Sequence, residues 1–166
     1  NSSTITNCYN KGVVDGTADR ASSFGGVCRC NLGILTNCYN TGIVKGHEWV
    51  GGVSGENKKT ITNCYNTGIV SGQSYVGGVN GCNEGTTTNC YNAGSVSGTG
   101  YVGGVSGENY GGTITNCYYD STIYTGAAIG DDKGTTTKAE GKTTDEFKTG
   151  EVAYLLQESQ TDTEII

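Results

Sequence analysis

Proline and methionine are absent from this 166-residue chain, and Trp, Phe and His number only one, two and one. A thick core of large aromatic side chains is therefore excluded, since hydrophobic residues make up just 34% of the chain. Yet 29 Gly and 11 Tyr are not the composition of a disordered charged chain. What remains is a thin structure whose interior is a narrow column of small and β-branched side chains. The missing proline fits a backbone whose N–H groups are committed to ladders. No apolar run reaches membrane-spanning length and no leader pattern opens the sequence, so membrane insertion is not expected. The start at Asn1, mid-pattern, reads as an excised piece of a longer polypeptide. An excess of positive charge is missing too. Residues 1–119 carry six acids and six bases, and 120–166 carry ten and four, so the net charge of −6 lies in the tail. A neutral body without a basic stripe argues against nucleic acid as a partner.

Repetition fills the space these absences leave. NCYN stands at 7–10, 37–40, 63–66 and 89–92, and NCYY at 116–119. Its cysteines fall at steps of 30, 26, 26 and 27 residues, and FGGV or VGGV keeps step at 24–27, 50–53, 76–79 and 102–105. The long step comes from extra residues around 17–23, and the step of 27 from an extra Gly near 111–112. Gly, Asn, Thr and Val at nearly every position exclude helices from the body. A propeller blade needs about 40 residues or more. Short β-favouring pieces such as TIT, IV and YVGGV, bounded by turn residues, match one turn of a solenoid. The expected fold is all-β: a parallel β-solenoid (β-helix) of about 26-residue coils with a short α-helical C-terminal cap. Residues 1–119 form about four to five coils, 120–142 an irregular exit segment with a strand near Thr122–Tyr124, and 143–166 a helical cap or linker.

Stacking turns equivalent positions into columns about 4.8 Å apart. Ile5, Leu35, Ile61, Thr87 and Ile114 make one apolar column; Val14, Val44, Val70 and Val96 another. Phe24, Val50, Val76 and Val102 make a third, and Val27, Val53, Val79 and Val105 a fourth. Cys8, Cys38, Cys64, Cys90 and Cys117 form a structural core ladder. Their side chains point in parallel, which strains any bridge along the column, so buried free thiols are expected. Cys30 and Cys82 fall on another line with Glu56 between them. The spacing leaves open whether Cys28, Cys30 or Cys82 forms any bridge. Asn7, Asn37, Asn63, Asn89 and Asn116 are read as an inward ladder of amides, and Asn10, Asn40, Asn66 and Asn92 as turn residues.

The tetrapeptides Gly52-Val53-Ser54-Gly55, Gly78-Val79-Asn80-Gly81 and Gly104-Val105-Ser106-Gly107 resemble the core of the GLUG-motif repeats, with Val for Leu. Gly26-Val27-Cys28-Arg29 lacks the last Gly. The resemblance covers roughly 1–119, and 141–157 is similar to the segment that often closes such arrays. It implies a surface or secreted bacterial protein, extracellular, of adhesin type, or a non-catalytic part of an immunoglobulin A peptidase. Such peptidases carry a HExxH zinc motif, which is absent here; His47 is the one histidine.

Three groups compete as sites. Trp49, Tyr75 and Tyr101 form an aromatic column suited to a host or bacterial glycan or to a protein. A second column, Tyr9, Tyr39, Tyr65, Tyr91 and Tyr118, reads as flank packing, and TxT pairs such as Thr60/Thr62 would suit ordered water on an ice-binding face. Scattered body charges support neither a catalytic residue nor a metal site, and no cofactor is implied. Gly130–Gly134 matches no calcium loop. A non-catalytic structural or adhesive repeat module of a larger extracellular protein is expected, contacting neighbouring domains of the same chain. A carbohydrate-binding module is the rival, and a polysaccharide-acting enzyme the distant third. In the tail, Thr143 and Glu146 form a capping-box pattern, and Phe147, Val152, Tyr154, Leu155 and Leu156 should cap or dock on the last coil.

Overall fold

A computed structural model describes residues 1–18 and 23–158. Part of the first-unit insertion (19–22) and the last part of the helical segment (159–166) lie outside the described residues. The third coil shows the unit. Thr60–Thr62, Tyr65–Asn66, Val70–Ser71, Ser74–Gly77 and Asn80–Asn83 are five short strands. Each pairs in parallel with its equivalent in the coils before and after, as in Ile61 with Leu35 and Thr87. Repetition of this pairing yields five sheets of six, six, four, four and five strands. The chain is a parallel β-solenoid of about five coils, followed by two short helices.

Strands stay short because the backbone turns sharply within every coil. One corner is left-handed at Asn7, Asn37, Asn63, Asn89 and Asn116, with φ between 51° and 55°. Asn tolerates this region better than other side chains. Inside, Leu35, Ile61, Ile114, Val44, Val70, Val50, Val76, Val53, Val79 and Val105 are fully buried. Ile5, Val14 and Val27, in the first coil, are only partly buried, because no coil packs on their other side among the described residues. The polar lapse in the isoleucine column is answered within its own coil. Asn80, where neighbouring coils have Ser54 and Ser106, donates to Thr87 Oγ1 at 2.8 Å, and Thr87 donates to Asn83 Oδ1 at 2.9 Å.

Three expectations need correction. The second asparagine of NCYN closes its turn as expected, and it also makes the inward ladder. Asn10 Nδ2 donates to Asn40 Oδ1, Asn40 to Asn66 and Asn66 to Asn92, each at 2.8 Å. The same amides close their own turns through Gly42, Gly68 and Gly94. The first asparagine is the left-handed corner; it points outward at Asn7 and Asn37, and the expected amide contact along this line is seen where Asn116 Nδ2 donates to Asn89 Oδ1 at 2.8 Å. In the fifth copy Tyr119 ends the inward ladder: its ring fills the place of the amide beside Gly104, and its hydroxyl donates to Gly126 O at 2.7 Å.

The segment 120–142 is not irregular throughout. Ile129–Asp132 completes the fifth coil, and Thr135–Thr136 and Ala139–Lys142 start another, pairing with Ser106–Asn109, Thr113–Thr115 and Cys117–Asp120. Its corner residues mask the periodicity, since Asp132 replaces the expected Asn. Thr122–Tyr124 is a turn rather than a strand. The helices, α1 (Thr144–Lys148) and α2 (Glu151–Glu158), do not sit over the end of the stack. They lie along the tyrosine flank, where Phe147 meets Tyr91 at 5.7 Å between ring centres and Asn116 Nδ2 donates to Leu155 O at 3.4 Å. The last rung of strands covers the end instead. Val152 is buried, while Tyr154 faces solvent.

Candidate functional site

The second corner of each coil is also left-handed, and here the residues are Trp49, Tyr75 and Tyr101, with φ between 49° and 56°. A bulky side chain in this region costs roughly 1–2 kcal/mol. Asn or Gly would bear the conformation at less strain, as the opposite corner demonstrates. The three rings stack along the axis, with centroids 6.1 and 5.0 Å apart and planes within 19° and 10°. Stacked rings cover one another's faces, so the column shows mainly edges, and Tyr101, 50% exposed, is its most open member. This is where the structure places the aromatic residues singled out in the sequence.

Beside the column runs the strand that follows each Gly-Gly pair. Register places Cys30, Glu56, Cys82, Glu108 and Asp131 in one outward line. Two residues on in sequence come Leu32, Lys58, Glu84, Tyr110 and Lys133, a second wall. Between the walls lies a groove of about 330 Å³, with Trp49 on one side, Tyr110 on the other and Glu56, Cys82 and Glu108 as floor. The charges are paired inside it. Lys58 Nζ lies 3.2 Å from Glu56 and 3.0 Å from Glu84, while Lys133 bridges Glu108, at 3.3 Å, and Asp131. Hydrogen bonds to Glu84 and Glu56 raise the pKa of Lys58. Burial, then the carboxylates of Glu108, Glu84 and Glu56, push the Cys82 thiol up to about 12. At neutral pH Cys82 is a protonated thiol, with no nucleophilic character.

The cysteine column runs coil on coil. Cys8, Cys38 and Cys64 each present their backbone N–H to the sulfur of the next, at 3.4 Å. Cys38, Cys64, Cys90 and Cys117 are buried and Cys8, in the end coil, is exposed; all eight cysteines are free thiols. Burial, then the sulfurs of Cys117 and Cys64, hold Cys90 well above the ordinary thiol range. Sulfur–sulfur hydrogen bonding sets Cys38 and Cys64 apart, Cys38 up and Cys64 down. A column this dry disfavours a thiolate on either, so the neutral thiol is the state we assign. Cys30 and Cys82 are separated by Glu56. The tyrosine column stacks at 5.2, 4.9 and 4.9 Å from Tyr9 to Tyr91. Tyr118 departs from the stack; it is fully buried, with Lys138 5.3 Å from its ring.

Residues 98–124, which span the Tyr101 corner and the groove wall at Tyr110, match the family model described as the GLUG motif. The chain thus carries a GLUG motif at 98–124. A crystal structure of a "putative immunoglobulin A1 protease" from Bacteroides ovatus shares the fold, with a TM-score of 0.55 and 22% identity. The match covers 88% of this chain and 69% of that one. No curated protein matches the sequence.

The GLUG glycines now have distinct tasks. A Cβ on Gly51 or Gly77 would meet the carbonyl of Ser54 or Asn80 at 2.0 Å, within the same turn. On Gly52 or Gly78 it would strike the inward asparagine, Asn66 or Asn92, at 2.4 or 2.3 Å. The last glycine serves the groove: Gly81 would strike the backbone of Trp49 at 2.2 Å, and Gly107 that of Tyr75 at 2.3 Å. So the motif lets each coil close against the strained aromatic corner of the coil before. Sequence reasoning missed the floor and the second wall of the groove. The 26-residue step from Lys58 to Glu84 to Tyr110 was the available signal, together with the extra glycine, Gly111 at φ 74°, beside Tyr110.

Proposed function

We propose that the chain is a non-catalytic structural and adhesive repeat module of a larger extracellular protein. The observation that carries this reading is the parallel register of the ladders, kept through four coils in every sheet and through five or more in three of them, which makes the chain a stiff stack with the same surface columns repeated along it. In such a stack each coil contacts only its neighbours, so coils add length without altering the rest. The likeness to a protein named for immunoglobulin A proteolysis, and the GLUG match, support an extracellular parent. Burial of most of the thiols is compatible with that compartment, since it shields them from oxidants.

Removal of one whole coil, residues 63–88, tests the modular claim. The shortened chain is expected to keep its β-type circular dichroism and its cooperative melt, and to lose about 4.8 Å of length in small-angle scattering. Loss of folded structure would contradict it. Incubation of the intact chain with immunoglobulin A and with a polysaccharide panel tests the non-catalytic half; new fragments or reducing ends would overturn that half.

A further inference from the structure

We propose that the groove between Trp49 and Tyr110 binds a neutral oligosaccharide. The inference deepens the adhesive half of the function given above by naming the ligand class. Three independent observations converge on this groove. The first is strain. At one left-handed corner the chain uses Asn in all five copies, the residue local physics favours; at the other it keeps Trp49, Tyr75 and Tyr101 in three successive coils against the same preference. Backbone strain held at one place in repeated copies marks a surface kept for contact rather than for stability.

The second is the irregularity opposite. In the Tyr110 coil the repeat lengthens by one residue, through Gly111 at φ 74°, and Tyr110 stands 60% exposed across from Trp49. Two aromatic side chains from opposite walls thus flank a cleft of about 330 Å³, at the small end of the roughly 300–1,000 Å³ typical of ligand sites. The C–H groups on the flat face of a pyranose suit the exposed ring of Tyr110, with Trp49 closing the other wall, and the hydroxyls around its rim meet the charged floor.

The third is the charge pattern. Lys58 holds Glu56 and Glu84, and Lys133 holds Glu108 and Asp131, so the carboxylates are fixed by their lysines with oxygens left to accept from hydroxyls. Three acids, Glu56, Glu84 and Glu108, and one lysine, Lys58, line the groove and make it mildly negative, with Lys133 and Asp131 at its edge. An anionic sugar is repelled, and a cation must displace lysines already in place. A neutral polyol donates to the carboxylates and accepts from the lysines without disturbing either pair.

Trp49 is the only tryptophan, so its fluorescence reports the groove directly. The experiment is a titration of the intact chain with neutral gluco-, manno-, galacto- and N-acetylglucosamine oligosaccharides, with an oligouronate and choline as charged probes. At least one neutral oligosaccharide is expected to shift the emission saturably. Tyr110→Ala and Glu108→Gln should each weaken that binding at least tenfold, read by calorimetry, while Tyr9→Ala on the separate tyrosine column leaves it unchanged. Circular dichroism of each variant separates lost binding from lost fold, and Tyr110, exposed at a corner, is the variant least able to disturb the coil. No neutral binding, binding indifferent to Tyr110 and Glu108, or preference for the uronate or choline overturns the proposal. If the 63–88 deletion still folds under that outcome, the repeat-module reading stands and only the glycan site falls.

Discussion

Within a single NCYN, two asparagines three residues apart do different work. The first turns the backbone into the left-handed region; the second carries its amide into the core and hands it to the next coil. Their substitutions should therefore differ. Asn66→Ala strands the amide of Asn40 and the carbonyl of Gly68 in a buried site, where each unsatisfied group costs about 1–3 kcal/mol. Asn37→Gly keeps the left-handed corner at an exposed position and should cost little, while Asn37→Ala should cost roughly 1–2 kcal/mol. Urea unfolding of the three variants checks the order, and a larger loss at 37 than at 66 would reverse the assignment. The sequence shows that both asparagines recur, but a period cannot tell inward from outward. Which one turns in depends on the phase of the corner, and that phase is set by the glycine packed against Asn66 in the neighbouring turn. A second ladder, Asn1–Asn31–Asn57–Asn83–Asn109 and ending on Asp132, was legible as a 26-residue step from 31 onward. Variable neighbours, Leu32, Lys58, Glu84 and Tyr110, hide it from motif reading.

Among the elements, the strands were readable because each is a short β-branched or aromatic piece between turn residues, and stacking leaves only one register in which the valines and cysteines stay inside. The place of the helices was not readable, because it depends on a flank assembled from different coils, with Tyr65, Tyr91 and Asn116 beside them. They are held at their start by the capping box, where Thr143 N–H and hydroxyl donate to Glu146 and Glu146 N–H donates back to Thr143 Oγ1. Lys142 joins Glu146 at 3.2 Å and Glu151 at 3.1 Å, tying α1 to α2. The bonds from Thr143, then the charge of Lys142, lower the Glu146 pKa from 4.5 to about 2. A carboxylate with a lowered folded pKa contributes fully above its unfolded value, and that contribution fades as pH falls toward the folded one. The helical part of the circular dichroism should thus decline between pH 4.5 and 2 while the β signal persists. Glu146→Gln should already show the weakened helix at pH 7 and lose that acid step; an identical acid profile in the variant would place the loss elsewhere.

Across the whole molecule the coils stack in register, so that each surface column is a line of equivalent residues. The groove exists only at this scale: Trp49, Cys82 and Tyr110 come from three coils, far apart in sequence and adjacent only because the stack advances one rung per turn. Thr6, Thr36, Thr62, Thr88 and Thr115 occupy one line, which places Thr6 and Thr115 four rungs apart, or about 19 Å along the axis. Spin labels carried on unnatural amino acids at positions 6 and 115, read by pulsed electron resonance, measure that separation without touching the native thiols. The stack predicts one narrow distribution near 20 Å between backbones; a broad distribution, or a centre well beyond that distance, would contradict it.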